Sequence, residues 1–374
     1  IKEKNTPVLV TGVIDAQKIQ LIYALCQETG RTAIVISRDD ASARAIYNDL
    51  AAFEEKTVFY PSKDFIFYSA DVHSGDITRQ RFKAMDSLMR GEAKIVCAAG
   101  EAVLGRLMKK RDMEEAVFEL REGDIMPLEE LAKRLVYMGY ERSDTVEGPG
   151  QFAVRGGIAD IYSPINDTAV RIEFWDDEVD SIRSFDPESQ RSVEELEQVE
   201  ICPATELLLE KSRVEKGLSK IEKEMKKYGK ALRDQMKNEE AHRIEGLVRE
   251  LSEEIREGFK VHGLGGFIQY FAEKTVSFLE YFPKEELAVF LDEPLRIKEK
   301  AEAVELEFRE SMEQRARKGY VLPGQMNILY SGEQVAATLE KNAVVTLATM
   351  ETKYGYFRTE MHVDIAARNI APYN

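Results

Sequence analysis

The stretch VLVTGVIDAQKIQL (8–21) joins an apolar run, a Thr-Gly break and a helical pattern that continues through Ile22 and Leu25. Strand, glycine turn and helix in that order open a parallel α/β unit, at the point where a phosphate-binding loop sits. Working outward, TAIVIS (32–37), TVFYP (57–61) and KIVCAA (94–99) are further short apolar runs, and residues 41–50 have helical spacing. Buried strands separated by helices predict βαβ units and a parallel sheet. The loop itself lacks the parts that bind nucleotide. A working loop needs glycines whose N–H groups wrap phosphates, a lysine, and a Ser or Thr hydroxyl for Mg²⁺. Here Gly12 is in place, Ile14, Asp15 and Ala16 follow it, and Lys18 precedes Ile19, which cannot ligate a metal. Asp15 also repels phosphate. LAVFLDEP (287–294) ends a buried strand on Asp292 and Glu293, the form of an acidic motif that contacts Mg²⁺ and activates water in motor ATPases. With the loop incomplete, Gly12, Lys18, Asp292 and Glu293 read as a degenerate nucleotide site without ATP hydrolysis. An active helicase-type ATPase built on Lys18, Asp292 and Glu293 is the alternative.

Length and charge bound the rest. The 374 residues predict two or three domains, and a net charge of −16 argues against a chain dedicated as a whole to nucleic acid. No apolar run approaches the ~20 residues that span a bilayer, and IKEKNTPVLV shows no signal-peptide pattern. Cys26, Cys97 and Cys202 are scattered among apolar residues and read as buried reduced thiols of a cytoplasmic protein. The four histidines are far apart, so no metal site is expected. The pattern divides the chain into an α/β part (1–122), an inserted β-rich unit (123–209), a second α/β part with long helices (210–350) and an irregular linker (351–374). Charges in 210–260 recur at helical spacing and read as a solvated face.

Within the inserted unit, VRIEFW (170–175) alternates. Val170, Ile172 and Phe174 share one face, and Arg171, Glu173 and Trp175 share the other. The first set is a core face. The second puts the chain's one tryptophan beside an arginine and a glutamate, the residue types from which binding anchors are built. Arg155, in FAVRGG, joins that surface if its strand pairs in register.

GYER (139–142), PGQFAVRGGIADIYSP (149–164) and VRIEFWDDEVDSIRSFDPESQRS (170–192) carry a resemblance. They are similar to UvrB and, more closely, to the N-terminal UvrB-like module of bacterial transcription-repair coupling factors, through the run WDDEVDSIRSFDPESQRS (175–192). The front part, FYPSKDFIFYSADVHSGDITRQRFKAMDSLMRGEAKIVCAAGEAVLGRL (59–107), is similar too, and the likeness extends from about Val8 to Met350. It implies a degenerate RecA-like domain, related to a helicase lobe, interrupted by a small β-rich domain that binds UvrA. The residues implicated map onto Arg155, Arg171, Glu173 and Trp175, where the family often has a smaller aromatic than Trp175. It also implies that ATP and Mg²⁺, RNA polymerase and DNA are handled by parts of a longer protein downstream, and that the motor can mask the UvrA surface by folding back. UvrB carries an aromatic hairpin that threads damaged DNA. No equivalent is found between Ser62 and Arg79, which leaves a UvrB-like damaged-DNA-binding role as the less supported reading.

Overall fold

A computed structural model describes residues 6–65, 74–257, 263–283, 287–350 and 356–365. The first part contains β1 (Val8–Thr11), α1 (Asp15–Thr29), β2 (Thr32–Ser37), α2 (Asp40–Ala51), β3 (Thr57–Tyr60), α3 (Ser74–Met89), β4 (Ile95–Ala99), β5 (Arg106–Leu107) and α4 (Lys110–Ala116). The β-rich part follows with β6 (Phe118–Arg121), α5 (Leu128–Tyr137), β7 (Glu141–Arg142), β8 (Gln151–Arg155), β9 (Ile158–Ile161), β10 (Ala169–Trp175), β11 (Glu178–Phe185), β12 (Ser192–Leu196) and β13 (Gln198–Ile201). The chain then forms α6 (Lys211–Asp234), α7 (Asn238–Glu257), α8 (Ile268–Phe271), β14 (Val276–Ser277), β15 (Leu287–Asp292), α9 (Pro294–Arg317), α10 (Gly332–Leu339), β16 (Ala343–Ala348) and β17 (Met361–Asp364).

The main sheet runs β17-β1-β16-β15-β2-β4-β3, and every pairing in it is parallel. Strand β2 shows why TAIVIS can sit at its centre. Ala33 and Val35 pack into the cluster with α1 and α2, whereas Ile34 and Ile36 pack into the larger cluster with the later helices. A parallel strand covered on both faces has to be apolar on both. The fold is thus α/β, a RecA-like parallel sheet interrupted by an inserted β-rich unit.

The insertion is a six-stranded sheet in the order β12-β11-β10-β9-β8-β7, antiparallel except between β7 and β8. Its inner face packs on Leu131 and Leu135 of α5. Its entry and exit are joined, because β6 pairs antiparallel with β13. The sequence reading assigned Phe118–Arg121 to the preceding α/β part; the pairing places this strand with the inserted unit. A second difference lies in the stretch read as an irregular linker. Met361–Asp364 is the edge strand of the main sheet, hydrogen-bonded in parallel beside β1. Its local pattern, MHVD, is too polar and short to announce a strand; the open edge of β1 supplies the order. The long charged segment forms two packed helices, α6 and α7, and all three cysteines are buried and free. Part of the stretch compared with the UvrB hairpin, residues 66–73, lies outside the described residues.

Candidate functional site

The insertion's outer face builds up from two tight hairpins. Arg155-Gly156-Gly157-Ile158 joins β8 to β9, with Gly156 at φ 59°. A Cβ on Gly157 would stand 3.0 Å from the Phe174 carbonyl oxygen, so the close approach to β10 needs glycine there. Trp175-Asp176-Asp177-Glu178 joins β10 to β11, with Asp176 at φ 58°, a left-handed position that Asp tolerates. Strands β8 and β10 run the same way, so both tips lie at one end of the sheet. Alternation holds along β10: Val170, Ile172 and Phe174 are buried, while Trp175 is 80% exposed.

At the centre of the face is a residue the sequence reading passed over, Asp160. Register pairs it with Arg171, and its side chain is 1% exposed. Arg171 donates from Nε to Oδ1 at 2.7 Å and from Nη2 to Oδ2 at 2.9 Å, and Arg155 Nη2 donates to Oδ2 at 2.6 Å. The Arg171 guanidinium also lies 4.7 Å from the Phe185 ring centroid. Its hydrogen bonds to Asp160 outweigh partial burial and raise its pKa further. One buried carboxylate therefore clamps both arginines. Glu173 pairs with Arg183 of β11 at 3.0 Å. Arg155, Arg171, Glu173 and Arg183 thus each have an ion-pair partner within the chain, and Trp175 is left open. Ile125, 68% exposed, bridges to Glu178, which itself pairs with Trp175, so two apolar side chains flank one hairpin tip. The signal for Asp160 was present: in IADI the acid is the odd residue of an apolar strand, and alternation turns it outward. Ile125 gave none, because its place depends on a long-range bridge.

The degenerate loop is closed by its own residues. Lys18, 5% exposed, donates to Asp292 Oδ1 at 2.7 Å and Glu293 Oε1 at 3.0 Å. Burial lowers the Lys18 pKa, but the two carboxylates overcome it and hold the ammonium above the ordinary lysine value. Burial raises Asp292, an effect Lys18 only partly offsets. Burial raises Glu293 too, but hydrogen bonds from Thr349 and Lys18 bring it below the usual range. Glu293 is held in the left-handed region at φ 57°, and its carboxylate accepts from Thr349 N and Oγ1 at 2.9 and 2.7 Å. A Cβ on Gly12 would meet the Ile365 carbonyl oxygen at 2.3 Å, and Thr11 Oγ1 donates to Asp364 at 2.9 Å. The chain after β17 therefore packs against the turn. These residues do not fit a magnesium-bound nucleotide: the lysine is consumed, no hydroxyl follows it, and backbone crowds Gly12. Elsewhere, ligand atoms of Asp86, Glu200 and Cys202 lie within 4.8 Å of one another, but Arg90 donates to both carboxylates and supplies the cation there.

Residues 118–207, the β-rich unit with its hairpins, match the UvrB interaction domain family. Over 316 residues, 84% of the chain, the sequence is 33% identical to the transcription-repair-coupling factor of Bacillus subtilis (strain 168). The chain is a homologue of the transcription-repair-coupling factors and of UvrB. It is 28% identical over 347 residues, 90% of its length, to the coupling factor of Staphylococcus epidermidis (strain ATCC 35984). It is 27% identical over 303 residues, 75% of its length, to the UvrABC system protein B of Kosmotoga olearia. The chain spans 26% and 28% of those two coupling factors and 45% of that UvrB. Among the described residues, no helix of the UvrB-like chain is long and apolar enough to cross a membrane.

Proposed function

We propose that this chain is a protein-docking module of transcription-coupled nucleotide excision repair, that it binds UvrA through the hairpin end of its UvrB interaction domain, and that it performs no catalysis itself. The observation that carries the reading is Trp175: a large aromatic 80% exposed at the end of a paired strand, with exposed Ile125 across Glu178 and charges already ordered on the same face. Pre-ordered surroundings lower the entropic cost of association, and aromatic anchors dominate interface energetics. Trp175 fills a pocket on UvrA. Arg155, half exposed, meets an acidic group, and the Glu173–Arg183 pair meets polar groups of the rim. Arg171 acts chiefly through Asp160, holding β9 and β10 in position. RNA polymerase binding and ATP-driven movement on DNA belong, on this reading, to other parts of a longer protein working in the bacterial cytoplasm.

Calorimetry of the purified chain with UvrA tests it, alongside Trp175→Ala and Arg171→Glu variants checked by circular dichroism. Loss of binding in a folded Trp175→Ala protein is the expected result. Equal binding by wild type and Trp175→Ala overturns the site. Tight Mg²⁺-dependent binding of ATP in the same instrument overturns the non-catalytic reading, for which the support is the sequestered Lys18.

A further inference from the structure

We propose that the outward face of α6 is a sequence-independent docking surface for the phosphate backbone of duplex DNA. Helix α6 carries nine Lys and Arg residues against four acids, in a chain whose net charge is −16. Helical geometry sorts them. Val214, Leu218, Ile221 and Leu232 form the buried stripe. Glu215 and Glu222 lie on the edge toward α7, where both pair with Arg256 at 3.6 and 3.5 Å. Glu224 lies on the opposite edge, accepting from the Gly324 N–H at 3.0 Å and the Tyr270 hydroxyl. The face directly opposite the core holds Lys216, Lys220, Lys223, Lys227 and Lys230, with Lys226 at its margin, all exposed. No acid stands on that face between Lys216 and Lys230. Among the described residues none of these six ammonium groups has an ion-pair partner; Lys220 donates to the Tyr270 carbonyl at 3.1 Å.

The six lysines are exposed, in keeping with the solvated face that the sequence periodicity suggested, but the face is of one sign. A solvated helical face intersperses acids at i, i+4, which stabilise; here 216/220 and 223/227 are like-charge pairs, which destabilise an isolated helix. The stripe thus leaves a like-charge repulsion that an external counter-charge relieves. Its chemistry selects the counter-charge. Protein interfaces are depleted in lysine and anchored by aromatic residues and arginine, and neither is present on this face. Lysines are mobile point charges that meet phosphates without reading bases. At ~1.5 Å per residue the stripe is about 21 Å long, enough to follow one strand of a duplex across several phosphates. Neighbouring lysines lie within the ~10 Å Debye length at 0.1 M salt, so they reinforce one another while more distant acidic surface is screened.

The test is fluorescence anisotropy of a short random-sequence duplex with the whole chain, across a salt series. Five phosphate contacts give a slope of log K on log salt near −4.5, a loss of about 500-fold between 50 and 200 mM. A Lys216→Gln/Lys223→Gln/Lys230→Gln variant should flatten that slope by about 3 and weaken binding at least about tenfold at low salt. A Lys56→Gln/Lys94→Gln/Lys341→Gln variant, equal in charge change but on other exposed lysines, should bind as wild type does. Absence of duplex binding at low salt, or equal loss in both variants, overturns the proposal. So does poly-glutamate binding the stripe as tightly as DNA, which would make the surface a site for acidic protein. UvrA binding through Trp175 is measured separately, so the two proposals fail independently.

Discussion

The loop end of β1 and the hairpin end of β10 are built from the same parts and reach opposite outcomes. Each clamps one buried charge between two of opposite sign: Lys18 between Asp292 and Glu293, and Asp160 between Arg155 and Arg171. At the first, the chain covers its own chemistry, with Thr349 capping Glu293 and Ile365 crowding Gly12. At the second, the charges pair with one another while Trp175 and Ile125, at the hairpin tip, stay exposed. A cluster of charges therefore says little about use. What differs between the two ends is what remains uncovered once internal pairs are made.

The comparison breaks most readily at its buried charges. Arg171→Ala leaves Asp160 with only Arg155, and stranding one member of a buried pair costs about 3–5 kcal/mol. Urea unfolding should show that loss, and the Asp160→Asn/Arg171→Met double variant should recover part of it. Lys18→Met should cost about 3 kcal/mol for the same reason, and pairing it with Asp292→Leu should restore stability, since apolar replacements of buried pairs are often neutral. If the loop were a working nucleotide site, the wild type would be stabilised by Mg-ATP; the expected shift in melting temperature is zero.

Trp175→Ala sharpens the contrast from the other side. It should reduce partner affinity by about 2 kcal/mol or more, near 30-fold, while leaving stability within about 0.5 kcal/mol. Between the two units, Glu206 receives Lys63 and Arg81, and Arg81 also donates to the Pro61 carbonyl at 2.7 Å. Burial pushes Glu206 up, but the two cations overcome it and bring its pKa to about 2. A carboxylate depressed below its unfolded value of ~4.3 stabilises the fold above that value, and the benefit is lost as pH falls toward 2. Glu206→Gln should flatten this acid limb in a pH series of melting curves. The smallest effect belongs to Arg183→Ala, whose half-exposed pair with Glu173 is worth at most about 1 kcal/mol in stability.

Much of this was legible in the sequence, and the parts that were not share a cause. The apolar runs at 8–12, 32–37, 94–99 and 287–292 read as strands because both faces of a parallel sheet select for them. Trp175 read as outward because period two is a local property. The incomplete loop was visible in Ile14 and Ile19, residues whose chemistry cannot substitute for glycine or hydroxyl. Partners are a different matter. That Lys18 closes on Asp292, 274 residues away, or that Glu206 takes up Arg81, follows from tertiary register. Strand β17 was missed on the same ground, since edge pairing and not composition makes it a strand.

That edge strand gives the fold a mechanical direction. Strands β1 and β17 are adjacent and parallel, paired from Val8↔Met361 to Thr11↔Asp364. A load applied between Pro7 and Ile365 pulls them from opposite ends and strains all their cross-links together, in shear. A load between Pro7 and Glu360 acts at a common end and opens them one by one, like a zipper. Tension passed along the chain beyond Ile365 therefore meets the stiff axis of the module, and single-molecule pulling should find a higher rupture force with handles at 7 and 365 than at 7 and 360.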